Sequence, residues 1–331
     1  EESIDSYMQE LDFSDIDKIL SQQAGTEGLD FKELVQRLLD GEEIDKGWLA
    51  EEIFSAVFSE VQEFRGTLIR IVILCIVILY PYFVMFITAL KNKKEMYEIG
   101  HILPEVWRWS NFSDIWTAAP VFKYLTNSLV IAGGATLLAI LCGIPAAYAL
   151  ARMRFKGKGI FMGAVIMSQM FSPVVLLVGI YRMMVDINLN DTILGLILLN
   201  AAFNQAFAIW LLRGTFVGIS PEMEQAAKID GCGTVKALIK VLLPMAAPGI
   251  ITTLIFVFIN AWNEYTIALT LISTDIFKPI TVGINVFYGF NFIQWQYLFA
   301  TSLFATIPVV VLFLAIEKHL VAGLTSGGVK G

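Results

Sequence analysis

The sequence predicts an all-α membrane protein with six transmembrane helices, preceded by a small acidic helical segment. Three observations predict it. Hydrophobic residues make up 56% of the 331 and charged residues only 16%, against about 45–50% and about 25% in soluble domains. The excess gathers in continuous blocks near the roughly 20 residues a helix needs to cross a bilayer, which excludes the alternating pattern of a barrel. Charge is also divided: residues 1–66 hold 18 acidic and 5 basic side chains, while the remainder holds 12 and 18. Two differently built segments therefore meet near Gly66, an acidic soluble appendage over 1–66 and a membrane domain over 67–331.

In the appendage, "SYMQELDFSDIDKILSQQ" and "FKELVQRLLDGEEIDKGWLAEEIFSAVFSEVQEF" space apolar residues three and four apart, as short amphipathic helices do. Gly25, Gly28, Gly41 and Gly47 read as turns between them. No His, Cys or glycine-rich phosphate loop occurs there, so the appendage carries no sign of chemistry.

Apolar runs then follow at 67–90, 124–150, 159–181, 193–212, 247–271 and 297–321. Six spans place both termini on one side, and the positive-inside rule selects the cytoplasm. Arg152, Arg154, Lys156 and Lys158 crowd one connection, Arg213, Lys228, Lys236 and Lys240 another, and Lys318 and Lys330 the tail. The loop over 91–123 dissents with five bases of its own. Prolines at Pro81, Pro145, Pro173, Pro248 and Pro308 predict kinked helices, as expected of a bundle that moves. The absence of an early apolar run behind a basic stretch predicts no signal peptide in the segment.

Between the fourth and fifth spans lies the loop 213–246, with "PEMEQAAKIDGCGTVKALIKVLLP" at residues 221–244. Ser220 is placed to cap a helix opened by Pro221, with Glu222 and Glu224 at the positive end of its dipole. This helix is expected to expose Ala226 and Ala227 side by side and to reach Asp230. Gly231 and Gly233 then make a turn, and Thr234 starts a second helix with Val235, Leu238, Ile239 and Leu242 on one face. Pro244 is expected to end that helix at the membrane. Small residues permit close docking of another surface; a helix lying on lipid headgroups is the competing reading.

The stretch "EQAAKIDGCGTVKALIKVLLP" resembles the EAA loop of ABC-importer permeases: EAA, three residues, Gly, nine residues, then I-x-L-P. Gln225, Ala226, Ala227, Gly231, Leu243 and Pro244 fall on that pattern. Gln225 replaces its glutamate and Val241 its isoleucine. Glu224 is one position away, about 100° around the helix. "AAYALARMRFKGKG", "AWNEYTIALTLI" and "LVAGLTSGGVKG" also resemble carbohydrate-uptake permeases, above all the second, six-span permease subunit of maltose-type transporters. The resemblance covers residues 67–331 and implies a type I ABC importer permease in the bacterial plasma membrane. It further implies half of a heterodimeric pore, a cytoplasmic ATPase dimer gripping residues 221–244, and an extracytoplasmic sugar-binding protein. Glu224, Gln225, Ala226, Ala227, Asp230, Gly231 and Pro244 would then be the ATPase-coupling residues. Residues 1–65 resemble instead the N-terminal region of stage III sporulation AE proteins, which keeps a structural or channel component of a sporulation-type assembly as the alternative.

The chain is not expected to be an enzyme. It contains no G-x-x-x-x-G-K-[ST] phosphate loop, so ATP hydrolysis would fall to a partner subunit. His101 and His319 have no identifiable Ser, Cys or carboxylate partner. Cys75, Cys142 and Cys232 suggest neither disulfides nor a metal cluster, and no cofactor is implied. Asn260, Asn263 and Glu264 sit within the fifth apolar run among apolar neighbours, either lining a pathway or gate or bonding another helix. The aromatic stretch "NVFYGFNFIQWQYLF" reads as an interfacial belt or as a ring-stacking surface. The terminal segment from Gly323 is too glycine-rich to fold alone.

Overall fold

A computed structural model describes residues 46–97, 102–289 and 292–328, with side chains described over 67–97, 102–289 and 292–315. The chain divides into two units, Glu1–Pro81 and Tyr82–Gly331. In the first, a single helix runs onward from Lys46. Most of the acidic appendage lies outside the described residues, but Gly47 is inside helix α1 (Lys46–Ala89) and makes no turn. Gly66 is helical as well, because the apolar run behind it supplies continuous helix formers and no stop signal.

The remaining elements are α2 (Asn111–Ala118), α3 (Val121–Arg152), α4 (Lys158–Ser168), α5 (Pro173–Asp186) and α6 (Ile193–Gly218). After them come α7 (Pro221–Ile229), α8 (Thr234–Trp262), α9 (Thr266–Leu271), α10 (Ile280–Gly283) and α11 (Trp295–Gly328). Among the described residues, five helices are long and apolar enough to span a membrane: Thr67–Ala89 of α1, then α3, α6, α8, and Trp295–Ala315 of α11. Among the described residues the one strand-like feature is a bridge between Tyr288 and Ile293.

The third expected span is not one helix. Residues 158–186 form α4 and α5, bent by 98° at the break between them, the geometry of a broken span or of a re-entrant loop; taken as one crossing, the pair makes a sixth span. Pro173 lies at the first position of α5, where its missing N–H costs nothing, and it discourages helix in the residue before it. The fifth run ends earlier than expected, at Trp262, because Glu264 starts a new helix. At the far end, α11 continues to Gly328, so the glycine-rich tail extends an existing helix instead of standing alone. Pro81, Pro145, Pro248 and Pro308 all lie inside helices.

The core is α3 against α6, with α8 closing on both. Ala132, Ala135, Ala139, Gly143 and Ala147 are buried at three- and four-residue spacing along α3. Such a stripe lets helix backbones approach closely where lipid offers no hydrophobic drive. A Cβ on Gly143 would come within 3.1 Å of Leu212 Cδ1, and one on Gly249 would collide with the Thr215 side chain. Those two glycines set how closely α6 meets α3 and α8.

At the end of the bundle remote from residues 219–233, side chains pin an irregular segment over 272–284. Tyr124 Oη donates to Asp275 Oδ2 at 2.8 Å, and Asn127 Nδ2 donates to the Ile276 and Lys278 carbonyls at 2.8 and 2.9 Å. The Ile280 N–H donates to Ser128 Oγ at 2.8 Å. Asp191 holds a left-handed φ of 53° and accepts from the Ser273 and Thr274 N–H groups, each at 2.9 Å, and from the Thr274 hydroxyl.

Candidate functional site

Residues 219–233 fold as the local signals dictate. The Ser220 hydroxyl accepts from the Glu222 N–H at 3.3 Å, and Pro221 opens α7. Gly231 takes a φ of 85°, a conformation that favours glycine, and turns the chain toward Thr234. The first part of α8 is wound as a π-helix over Leu238–Leu242.

The two alanines do not share one face. Ala226 is exposed, whereas Ala227 is 6% exposed and packs inward. Nor do Val235, Leu238, Ile239 and Leu242 form a single apolar face: Leu242 is buried, but Val235 and Ile239 are exposed at 67% and 56%. The π-helix adds a residue to the turn, which shifts the register that a uniform 3.6-residue helix would give. Around Ala226, the side chains of Met223, Gln225, Ile229 and Asp230 are also exposed, with Ile229 at 86%.

Glu224 faces the opposite way and is 6% exposed. Its Oε1 accepts from Tyr148 Oη at 2.8 Å and from Lys228 Nζ at 2.7 Å, and its Oε2 lies 3.5 Å from Arg152 Nε. Arg152 also donates from Nη2 to the Ile219 carbonyl at 2.6 Å, at the C-terminal cap of α6. One guanidinium therefore joins the last turn of α3, the end of α6 and the first turn of α7. Burial pushes the Glu224 carboxyl up, but hydrogen bonds from Lys228 and Tyr148, with the charges of Lys228 and Arg152, outweigh it and hold it below the ordinary glutamate range. Sequence reasoning counted Arg152 only among the bases that mark the cytoplasmic side and had no role for Tyr148. The available signal was their four-residue spacing at a span end, which puts two polar side chains on one helical face.

Asn260, Asn263 and Glu264 are separated by the structure. The Glu264 carboxylate accepts from the Ile267 and Ala268 N–H groups at 2.6 and 3.0 Å, and the Thr281 hydroxyl donates to its carbonyl at 2.8 Å. That is the arrangement of a helix cap, here for α9. Asn260 and Asn263 are exposed and make no side-chain hydrogen bond among the described residues. In the aromatic segment Trp295 stacks on Phe299 at 5.7 Å and Phe287 contacts Tyr297 at 5.8 Å. His101 and His319 lie outside the residues whose side chains are described. Among the described residues no cluster of His, Cys, Asp and Glu could hold a metal.

A bundle of apolar helices with a short polar-capped helix looped out between two spans defines a multi-pass α-helical membrane protein. The chain belongs to the family of binding-protein-dependent transport system inner membrane components, whose profile matches residues 135–326. It is 32% identical to the inner membrane ABC transporter permease protein YcjP of Escherichia coli (strain K12), over 81% of this chain and 99% of that one. To the trehalose transport system permease protein SugB of Mycobacterium tuberculosis it is 35% identical, over 76% and 93% respectively. Its fold matches a chain in the crystal structure of a bacterial ABC transporter involved in the import of the acidic polysaccharide alginate, with a TM-score of 0.65. That match has 20% identity and covers 84% of this chain and 99% of the other.

Proposed function

We propose that this chain is one permease subunit of an ATP-driven sugar importer, forming half of its translocation pore and coupling to a separate ATPase through residues 221–244. Several relatives carry names of sugar-uptake permeases, for trehalose, for melibiose, raffinose and stachyose, and for diacetylchitobiose, and the chain aligns with most of their length. The second permease subunit, a cytoplasmic ATPase dimer and an extracytoplasmic sugar-binding protein are its partners. Hydrolysis of ATP belongs to the ATPase. Both termini and residues 219–233, the part of the expected loop left between α6 and α8, lie in the cytoplasm, and residues 1–66 form an appendage to the permease domain over 67–331.

The observation that carries this reading is the inward anchoring of Glu224. It frees Gln225, Ala226 and Asp230 to form an outward surface on a fixed base. Gly231 sets the turn and Ala227 seats the helix from below, while Pro244 lies inside α8, which runs on through it, and does not end a helix as the sequence predicts. Asn260 and Asn263 line the pathway; Glu264 shapes its rim by capping α9. An ATPase that closes on nucleotide would grip this surface differently in its open and closed states, and only such a difference lets ATP shift the pore between conformations.

Ala226→Trp tests the reading directly. The site is exposed, so the helix tolerates the indole, but a docked partner does not. Wild-type protein should co-purify with an ATPase subunit and the variant should not; undiminished co-purification by the variant would overturn the assignment.

A further inference from the structure

Helices α4 and α6 enclose a groove that has no part in the coupling described above. Its wider end is a cavity of about 580 Å3 bordered by Lys158, Gly159, Met162, Gly163, Ile166 and Arg213. A second cavity of about 300 Å3 shares Ile166 and continues along both helices past Val165, Gln169, Phe207 and Trp210. The order of residues along α4 and α6 gives the direction. Lys158 and Arg213 sit toward the membrane boundary that also bears residues 219–233, and Trp210 and Gln169 sit deeper.

The two ends differ in chemistry. Arg213 makes no hydrogen bond or ion pair among the described residues, and Lys158 Nζ reaches only the Met153 carbonyl, at 3.4 Å. Arg154 and Lys156, both exposed, add charge on the connection that precedes α4. Beyond this cationic mouth the walls are apolar except for Gln169. Gly159 and Gly163 lie one turn apart with open space where a Cβ would stand, which leaves α4 flat toward the groove. Unpaired cations at a membrane boundary, opening into an apolar trough that runs into the bilayer, complement a negative headgroup bearing hydrocarbon tails.

We infer that this groove binds one anionic phospholipid. Its phosphate lies between Lys158 and Arg213, and an acyl chain follows the Gly159–Gly163 face toward Trp210. A free phosphate would use the mouth and leave the apolar trough empty; the continuity of the two cavities through Ile166 favours the lipid.

The test is native mass spectrometry of the full-length protein, purified with its associated subunits and titrated with phosphatidylglycerol or phosphatidylcholine. Wild type should retain phosphatidylglycerol preferentially. The double variant Lys158→Gln/Arg213→Gln should lose that preference by roughly tenfold or more. Gly163→Leu keeps the charges and fills the trough, and should lower retention too. Preference unchanged in the double variant, displacement of the lipid by inorganic phosphate, or cross-linking of a Gly163→Cys variant to another subunit would each overturn the inference. If the double variant fails to purify, Lys158→Gln alone under the same titration decides.

Discussion

Glu224 and Arg152 form an ion pair, 3.5 Å from Oε2 to Nε, that ties the first turn of α7 to the last turn of α3. The side chains are 8% and 11% exposed, so the pair is held largely away from water. Because Arg152 also donates to the Ile219 carbonyl, force applied to α7 reaches the ends of α3 and α6 through a single side chain.

Removing Glu224 alone should therefore be worse than removing Glu224 and Arg152 together. Glu224→Gln leaves the Arg152 guanidinium buried without its ion partner, a change of about 3 kcal/mol in other proteins, whereas Arg152→Gln leaves Glu224 paired with Lys228 and should cost less. Each single variant should lower the melting temperature and reduce uptake. The double variant should recover part of the stability, and a double-mutant cycle on thermal melts measures the coupling.

Acid should loosen the same joint. The Glu224 carboxyl titrates below its ordinary range in the folded protein, so its contribution is full above the unfolded value of about 4.3. It is lost as pH falls through the lower native value. Hydrogen exchange in residues 222–230 should quicken over that acid window, and much less so in a Glu224→Gln variant.

Gly283 packs flat on the Tyr124 ring, where an added Cβ would strike the ring carbons. Gly283→Ala should cost about 1–3 kcal/mol by overpacking and weaken the Tyr124–Asp275 hydrogen bond. A fall in melting temperature, relieved by Tyr124→Leu, would confirm the cause.

Asp191 combines a left-handed backbone with three accepted hydrogen bonds. Asp191→Asn tolerates that conformation and keeps an oxygen for the Ser273 and Thr274 N–H groups, so a loss of about 1 kcal/mol is expected. Asp191→Val cannot accept and is strained at positive φ, and should lose about 3 kcal/mol. Limited proteolysis within residues 272–279 should quicken far more in the second.

What the sequence by itself determined was local. Continuous apolar runs located the spans because each helix satisfies its own backbone in lipid, whatever surrounds it. Ser220, Pro221 and Gly231 marked the looped-out helix because caps and turns depend on neighbours a few residues away. Tertiary structure decided the sidedness. Glu224 turns inward because Tyr148 and Arg152, more than 70 positions earlier in the chain, satisfy its charge there, and Ala227 is buried with it while Ala226 is not. Glu264 became a cap once the chain broke after Trp262. The hydropathy of residues 159–181 could not reveal a bend of 98°, because transfer energy counts apolar area and is blind to the direction in which the helix travels.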